Sequence, residues 1–398
     1  MSMLNGLSQI VSVTWFNLAT LPQRIGSSAT AVFGIAGVVA VMVGVLSIAE
    51  GILRTMQNSA APENVVVMRS GSSSEMMSIL LGDETRLIAE TPGLARGASG
   101  ALASPELFVI INLPKINTGT DANVPLRGVT RMAPEVRDHF RIVAGRMFEW
   151  GRNELVVGVG AQIEFQGLDI GSSITVAGED WPIVGVFTAG GGLAETELWV
   201  DASVLQPAYR RGNSYQAVYA KLESPGTFQG FKDALTSDPR LNVKPMRETE
   251  YYAEQSAMLY NLITGLGTLI AVIMGLGAMF GALNTMYTAV SARTREIATL
   301  RALGFRSGPV VVSVLVESLL LALAGGLAGA AVAWWAFDGF RAATLNFSSF
   351  SQVAFAFDVS ASLVLRGIVF ALVIGLIGGL FPAVRAARQP VSEALREQ

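Results

Sequence analysis

Cysteine is absent from the 398 residues. The chain therefore has no disulfide, zinc-thiolate site or thiol nucleophile to offer. Charge is scarce too. Asp, Glu, Lys and Arg make up 15% of the residues against 51% hydrophobic, with a mean hydropathy of +0.47. A soluble protein of this size is about a quarter charged, so the shortfall points to membrane spans rather than one large core. The only histidine, His139, has no second His, no Cys and no triad partner nearby in sequence, and reads as a solvated surface residue. No GxxxxGK[ST] loop occurs, and "GVGAQIEFQG" (158–167) holds a GxG without the full dinucleotide fingerprint. The acidic residues are scattered without metal-ligand spacing. No concentrated basic face suggests nucleic acid. An enzyme, a metal centre and a nucleotide site carried by this chain are all disfavoured.

The charge that is present is unevenly placed. Residues 51–254 hold 18 Lys/Arg and 24 Asp/Glu, whereas the rest holds 10 basic and 7 acidic residues. An acidic soluble portion thus accompanies a basic, greasy one. The 42 glycines fit close helix packing in a membrane.

A spanning helix needs about 20 mostly apolar residues, and four segments qualify. The first covers 29–50, with a stalk continuing to about 58. The second lies in 247–290, where 38 uncharged residues separate Glu254 from Arg293. No turn cluster divides that run, so one long helix emerging from the membrane explains it. The third is 309–337 and the fourth 367–384, with an external loop at 338–366 between them. The first span has no convincing cleavage site and reads as an uncleaved anchor. Arg293, Arg295, Arg301 and Arg306 precede the third span, Arg385, Arg388 and Arg396 follow the fourth, and Arg24 precedes the first. Four spans put all three groups on one side, which the positive-inside rule makes the cytoplasm. Residues 1–28 then form a cytoplasmic N-terminal segment. Within it Leu7, Ile10, Val11, Trp15 and Leu18 share one face of an interfacial helix against membrane lipid.

Residues 59–246 alternate short β-like runs with a few helices. "NVVVMR" (64–69), "LFVIIN" (107–112), "ELVVGV" (154–159), "SITVAG" (173–178), "WPIVGVF" (181–187), "ELWV" (197–200) and "QAVYAKL" (216–222) read as strands. "ETRLIAE" (84–90) and "TFQGFKDALTS" (227–237) read as helices. The glycine-rich "TAGGGLAETE" (188–197) reads as a mobile loop. The expected architecture is four transmembrane α-helices with an extracytoplasmic α+β domain inserted between helices 1 and 2.

Glu317 is the one acid inside an apolar segment, and a membrane-embedded carboxylate is costly. It lies near the cytoplasmic edge, where pairing with an arginine of the preceding loop accounts for it better than proton or substrate handling. Asn284, toward the same end of the second span, is expected to hydrogen-bond between helices. Small residues at 324–330 and at Gly275, Gly277 and Gly281 form packing faces.

The stretch "SARTREIATLRALGFRSGPVVVSVLVESLLLALAGGLAGAAV" (291–332) resembles the C-terminal module of MacB/FtsX-type ABC transporter permeases. Arg295, Glu296, Ile297, Leu300, Arg301, Ala302, Leu303, Gly304 and Glu317 carry the resemblance. "GRMFE" (145–149), "ELVVG" (154–158), "LDIGSSITV" (168–176) and "WPIVGVF" (181–187) are similar, in order, to the MacB-like periplasmic core. The resemblance implies a multi-pass bacterial inner-membrane permease with both termini cytoplasmic, working as a homodimer or beside a paralogous permease. It implies a separate cytoplasmic ATPase dimer that binds ATP and magnesium, this chain binding no cofactor. It also implies that the ATPase moves a coupling helix at 291–308, from which motion reaches the periplasmic core and extrudes substrate from the outer side. A periplasmic adaptor is a further implied partner. The 385–398 tail is cytoplasmic in this scheme. Arg293, Ile297, Leu300, Arg301 and Gly304 recur at spacings of 3 and 4, which gives a short amphipathic helix with an apolar-plus-arginine face. With Arg295, Glu296 and Leu303 they make up the expected ATPase-coupling set. A lipoprotein-releasing permease, an FtsX-like activator of a cell-wall enzyme, and a membrane sensor without an ATPase are the alternatives.

Overall fold

A computed structural model of the protein describes residues 9–15, 25–346 and 351–389. Leu7, Leu18, Arg24, Arg396 and the tail from 390 lie outside the described residues. The helices are α1 (9–15), α2 (Ile25–Asn58), α3 (Gly82–Glu90), α4 (Ala133–Val136), α5 (Val159–Glu164), α6 (Ala202–Ala208), α7 (Phe228–Ser237), α8 (Glu248–Ser291), α9 (Thr294–Ala302), α10 (Ser307–Phe337) and α11 (Ala361–Arg388). The strands are β1 (Asn64–Arg69), β2 (Leu80–Leu81), β3 (Arg96–Gly97), β4 (Gly100–Ala101), β5 (Ala103–Pro114), β6 (Asp121–Val129), β7 (Phe140–Gly145), β8 (Leu155–Gly158), β9 (Ser173–Val176), β10 (Glu179–Ala189), β11 (Leu198–Asp201), β12 (Ser214–Tyr215), β13 (Ala217–Lys221), β14 (Val243–Arg247), β15 (Arg341–Asn346) and β16 (Ser351–Ala356). The chain divides into two compact units. One comprises residues 1–50, 260–340 and 357–398, the other 51–259 and 341–356. The division falls inside α2 and inside α8, so each of these helices is shared.

The second unit is the α+β domain. Its sheet runs β14-β1-β13-β5-β6-β11-β8-β10-β7, with β9 paired to β10. Most pairs are antiparallel, but β11 runs parallel to β6 and β10 to β8. The β8–β10 pair needs a crossover, and α5 supplies it. β1 reads as a solid apolar run because both its faces are covered: Val65, Val66 and Val67 are fully buried. β9 alternates exposed and buried positions, the period-2 signature of a half-covered strand. Two cores result. Val65, Val67, Ile88, Val218, Phe231 and Leu235 pack one end of the sheet under α3 and α7. Leu107, Leu126, Leu155, Ala161, Trp181 and Leu205 pack the other under α5 and α6.

Two expectations change here. The 188–197 stretch is tied down. The Glu195 carboxylate accepts from the Thr188 hydroxyl at 2.5 Å and from the backbone N–H groups of Ala189 and Gly191, each at 2.8 Å. Glycine composition signalled mobility, but one carboxylate satisfies the turn's free donors. The 338–366 segment carries the β15–β16 hairpin, which belongs to the α+β unit.

The other unit holds the apolar parts of α2, α8, α10 and α11, the four helices among the described residues long and apolar enough to cross a membrane. Ile35, Val39, Val43, Ala322, Ala330, Leu363, Ala371 and Ile374 form its centre. Small residues set the helix separations. A Cβ on Gly329 would lie 2.4 Å from the Ala36 carbonyl oxygen, so α10 meets α2 backbone to backbone. A Cβ on Gly375 would lie 2.4 Å from the Ala322 Cβ, and the Ser318 hydroxyl donates to the Gly375 carbonyl at 2.6 Å. Such close approach is how helices associate where lipid offers no hydrophobic driving force between them. The outward faces are apolar instead: Leu262, Leu266, Leu269, Ile273, Leu276 and Phe280 of α8 are all exposed.

Candidate functional site

The 291–308 segment forms a short helix between two turns, built by local chemistry. α8 ends at Ser291, and Arg293 occupies the position before α9. α9 stops at Ala302 because Gly304 takes φ +94°, a left-handed conformation that glycine adopts without a Cβ clash. The Phe305 N–H donates to the Leu300 carbonyl and the Gly304 N–H to the Arg301 carbonyl, both at 3.1 Å. That pair of bonds is a Schellman closure, and it satisfies the last carbonyls of the helix. The glycine in "RALG" is therefore a stop, and it frees α10 to start at Ser307.

The two faces of α9 have opposite fates. Arg293 and Ala298 are buried and Ile297 half-buried, with Met286, Val290, Val310, Val314 and Ala383 around them. The Arg293 guanidinium reaches Glu317 Oε2 on α10 at 3.6 Å and Glu296 Oε2 at 3.3 Å. Glu317 is only 4% exposed. A pairing of Glu317 with a loop arginine, expected from the sequence, is thus present, and Arg293 provides it. Leu300 and Arg301 are half-buried, and Arg301 Nη1 donates to the Gln389 carbonyl beyond α11 at 2.5 Å. A cavity of about 20 Å³ lies between Val13, Arg293, Ile297, Leu300 and Glu317, room for roughly one water. Val13 comes from α1, whose carbonyl at Val13 accepts from the Ser313 hydroxyl of α10 at 3.4 Å. Val11 and Trp15 of α1 face outward.

The opposite face of α9 is open. Arg295, Glu296, Thr299, Leu303 and Gly304 are exposed, Leu303 to 73%. Sequence spacing grouped Arg293, Ile297, Leu300 and Arg301 on one face, and they do share one. It is turned into the helix bundle, leaving Arg295, Thr299 and Leu303 as the outward set. The spacing 295, 299, 303 was equally readable, but a periodicity cannot say which side is covered. Asn284 sits apart, exposed on α8, and its carbonyl accepts from the Thr288 hydroxyl at 3.0 Å.

The α+β unit contains a second polar constellation that no spacing along the chain reveals. Arg127 on β6 is 3% exposed and contacts three glutamates. Its Nε and Nη2 grip Glu197 at 2.8 and 2.7 Å, and Nη1 reaches Glu75 at 2.7 Å and Glu106 at 3.0 Å. Arg137 holds Glu106 from the other side at 2.7 and 2.8 Å. The hydroxyls of Tyr219 and Tyr251 donate to Glu75, and Trp199 Nε1 donates to Glu197. Burial alone pushes the Glu106 carboxyl up, but the adjacent Arg137 and Arg127 charges outweigh it and hold the group below its usual range. Burial pushes the Tyr219 hydroxyl well up, and the Glu75 charge adds to it. Each polar group is matched, so the cluster is a structural tie that brings β5, β6, β11 and β13 together with the first turn of α8. His139 is exposed. Among the described residues no three His, Asp or Glu side chains converge as a metal site would require.

Comparison with known proteins follows this division. Residues 28–238 match the family described as MacB-like periplasmic core domain, and residues 268–391 match FtsX-like permease C-terminal. The chain is 25% identical over 235 residues to an uncharacterized ABC transporter permease, YknZ, of Bacillus subtilis, with 57% of each chain covered. It is 24% identical over 408 residues to the macrolide export ATP-binding/permease protein MacB of Chlorobium luteolum, covering 93% of this chain and 57% of that one. The chain thus spans little more than half the length of these relatives. Among solved structures, the periplasmic region of MacB from Actinobacillus actinomycetemcomitans is 13% identical with a TM-score of 0.37, over 50% of this chain and 94% of that one.

Proposed function

Because the chain belongs to the family of MacB/FtsX-type ABC transporter permeases, we propose that it passes the motion of a partner ATPase to its own α+β domain. In this reading the 291–308 side of the membrane is cytoplasmic and the α+β domain periplasmic. The nucleotide-binding partner is a separate ABC ATPase dimer carrying ATP and magnesium. The permease works as a pair, with itself or with a paralogue. Export or extrusion of a substrate from the periplasmic side is the outcome, with a periplasmic adaptor as the further partner.

The observation that carries the reading is the two-sidedness of α9. A segment that served only to enforce topology would need charge alone. Here a buried arginine pins one face of the helix to Glu317, while Arg295, Thr299 and Leu303 stand free on the other. A helix anchored inward and presenting a leucine between polar neighbours outward suits a rigid handle in a partner's cleft. α2 and α8 are each continuous across the boundary between the apolar unit and the α+β unit.

The test is Leu303→Glu in the chain coexpressed with the ATPase encoded nearest to it. Loss of copurified ATPase, with membrane insertion unchanged, is expected. Undiminished association would remove the basis of the assignment.

A further inference from the structure

The glycine-rich turn at 188–197 and the end of α2 border a cavity of about 60 Å³ inside the α+β unit. Small residues leave the space. Ala189, Gly192 and Ala194 line one side, and a Cβ on Gly192 would sit 2.9 Å from the Ser59 Cα. A Cβ on Gly190 would meet the His139 Cβ at 3.0 Å, so the histidine packs directly on the turn. The wall is firm. The Leu193 N–H donates to Ser59 Oγ at 2.6 Å, and Glu195 holds the turn from within.

The charged residues of the wall are already matched. Both Nη atoms of Arg137 donate to Glu106, and Asp138 is paired with Lys221. An ionic ligand would enter without an unspent counter-charge to offset its desolvation. The neutral polar side chains differ. Asn58, His139 and Tyr252 line the cavity, and among the described residues their side chains make no hydrogen bond. Asn64 lines it as well, and its Oδ1 is buried with no donor. Burial pushes the Tyr252 hydroxyl up, so it stays a neutral phenol with a proton to give.

The volume holds roughly two to four waters, the bulk of a group of about four non-hydrogen atoms. Such a group has to donate, accept, carry no charge, and set an apolar part against Phe140 and Ala194. An amide bearing a methyl meets all of these conditions. We propose that the cavity binds an acetamido group, its carbonyl accepting from the Tyr252 hydroxyl, its N–H donating to the Asn58 side chain, and His139 at the rim. An N-acetylated sugar and a peptide bond both offer this group. The inference is independent of the transport reading.

The experiment is saturation-transfer NMR on the full chain in lipid nanodiscs, reading the methyl signal of acetamide against empty nanodiscs. A ligand of this size binds no tighter than about 40 μM, a range the method covers. Saturable acetamide binding is expected, with acetate, similar in shape but charged, at least about tenfold weaker. Tyr252→Phe removes a hydroxyl with no partner in the protein, so the fold is spared and acetamide should weaken about 3–10-fold. Ala194→Leu, which fills the cavity, should abolish binding; if that variant does not fold, Tyr252→Phe decides. N-acetylglucosamine and N-acetylalanine methylamide are the competitors. Displacement of acetamide by one of them names the source of the group, and displacement by both makes the amide itself the determinant. No acetamide binding, equal binding of acetate, unchanged affinity in Tyr252→Phe, or displacement by neither competitor would overturn the inference.

Discussion

Replacing Arg127 with leucine isolates the buried network of the α+β domain. The guanidinium is 4% exposed on its side chain and, among the described residues, is the only cation in contact with Glu75 and Glu197. Its removal leaves Arg137 as the remaining cation of the cluster, and of the three glutamates Arg137 pairs with Glu106. Glu75 keeps two tyrosine donors and Glu197 one tryptophan donor, enough to solvate the carboxylates partly but not to neutralise them. Stripping one partner from a buried ion pair costs about 3–5 kcal/mol. The loss should appear in urea unfolding followed by tryptophan fluorescence, for which buried Trp181 and Trp199 report. The pH slope is a second signature. In the wild type the lowered Glu106 group contributes stability that is present above the ordinary carboxylate range and lost as pH falls. In the variant Glu106 loses the Arg127 charge that helps hold it down, so less stability is lost as pH falls. Adding Glu75→Gln and Glu197→Gln should recover much of the loss. A cost below about 1 kcal/mol, or an unchanged pH slope, would refute the claim that Arg127 neutralises this cluster.

Three further outcomes follow from the same reasoning. Arg293→Met should destabilise the membrane unit by about 3 kcal/mol by removing the cation paired with buried Glu317, and Glu317→Leu in the same chain should restore most of it; thermal denaturation in detergent reads both. Gly329→Leu should lower thermal stability by at least about 1–3 kcal/mol, because even a Cβ there meets the Ala36 carbonyl at 2.4 Å. Arg146→Ala should leave the melting temperature in the same assay close to that of the wild type, because its pair with Glu154 is half exposed at the arginine.

How much of this was legible beforehand depends on what each signal encodes. The four spans were plain because length and hydropathy are what a bilayer selects, though the helices extend past the apolar limits: α2 runs to Asn58 and α8 begins at Glu248. β1, β9 and β11 coincide closely with runs of β-branched and apolar residues. β6 was not visible because Pro125, Arg127 and Gly128 interrupt its pattern, and their places are set by partners far away in sequence: Arg127 by Glu75 and Glu197, Gly128 by the Ala202 backbone 3.0 Å from where its Cβ would be. The β15–β16 hairpin was hidden in a mixed polar and apolar loop. At the candidate site, the sequence specified an amphipathic helix and an acid in need of an arginine, whereas the stop at Gly304 became visible only in its φ of +94°. Which face of α9 is covered depends on Val13 and Val314, remote positions that no local period can report.

Site-directed cross-linking to the partner ATPase tests the central claim most directly. The chain has no cysteine of its own, so single substitutions at Arg295→Cys, Thr299→Cys, Leu303→Cys and Ala298→Cys give clean reporters. The account predicts cross-links from 295, 299 and 303 that change in extent when ATP is added, and none from 298, which is 3% exposed. Equal cross-linking from 298, or none from the outward set while the ATPase still copurifies, would contradict it.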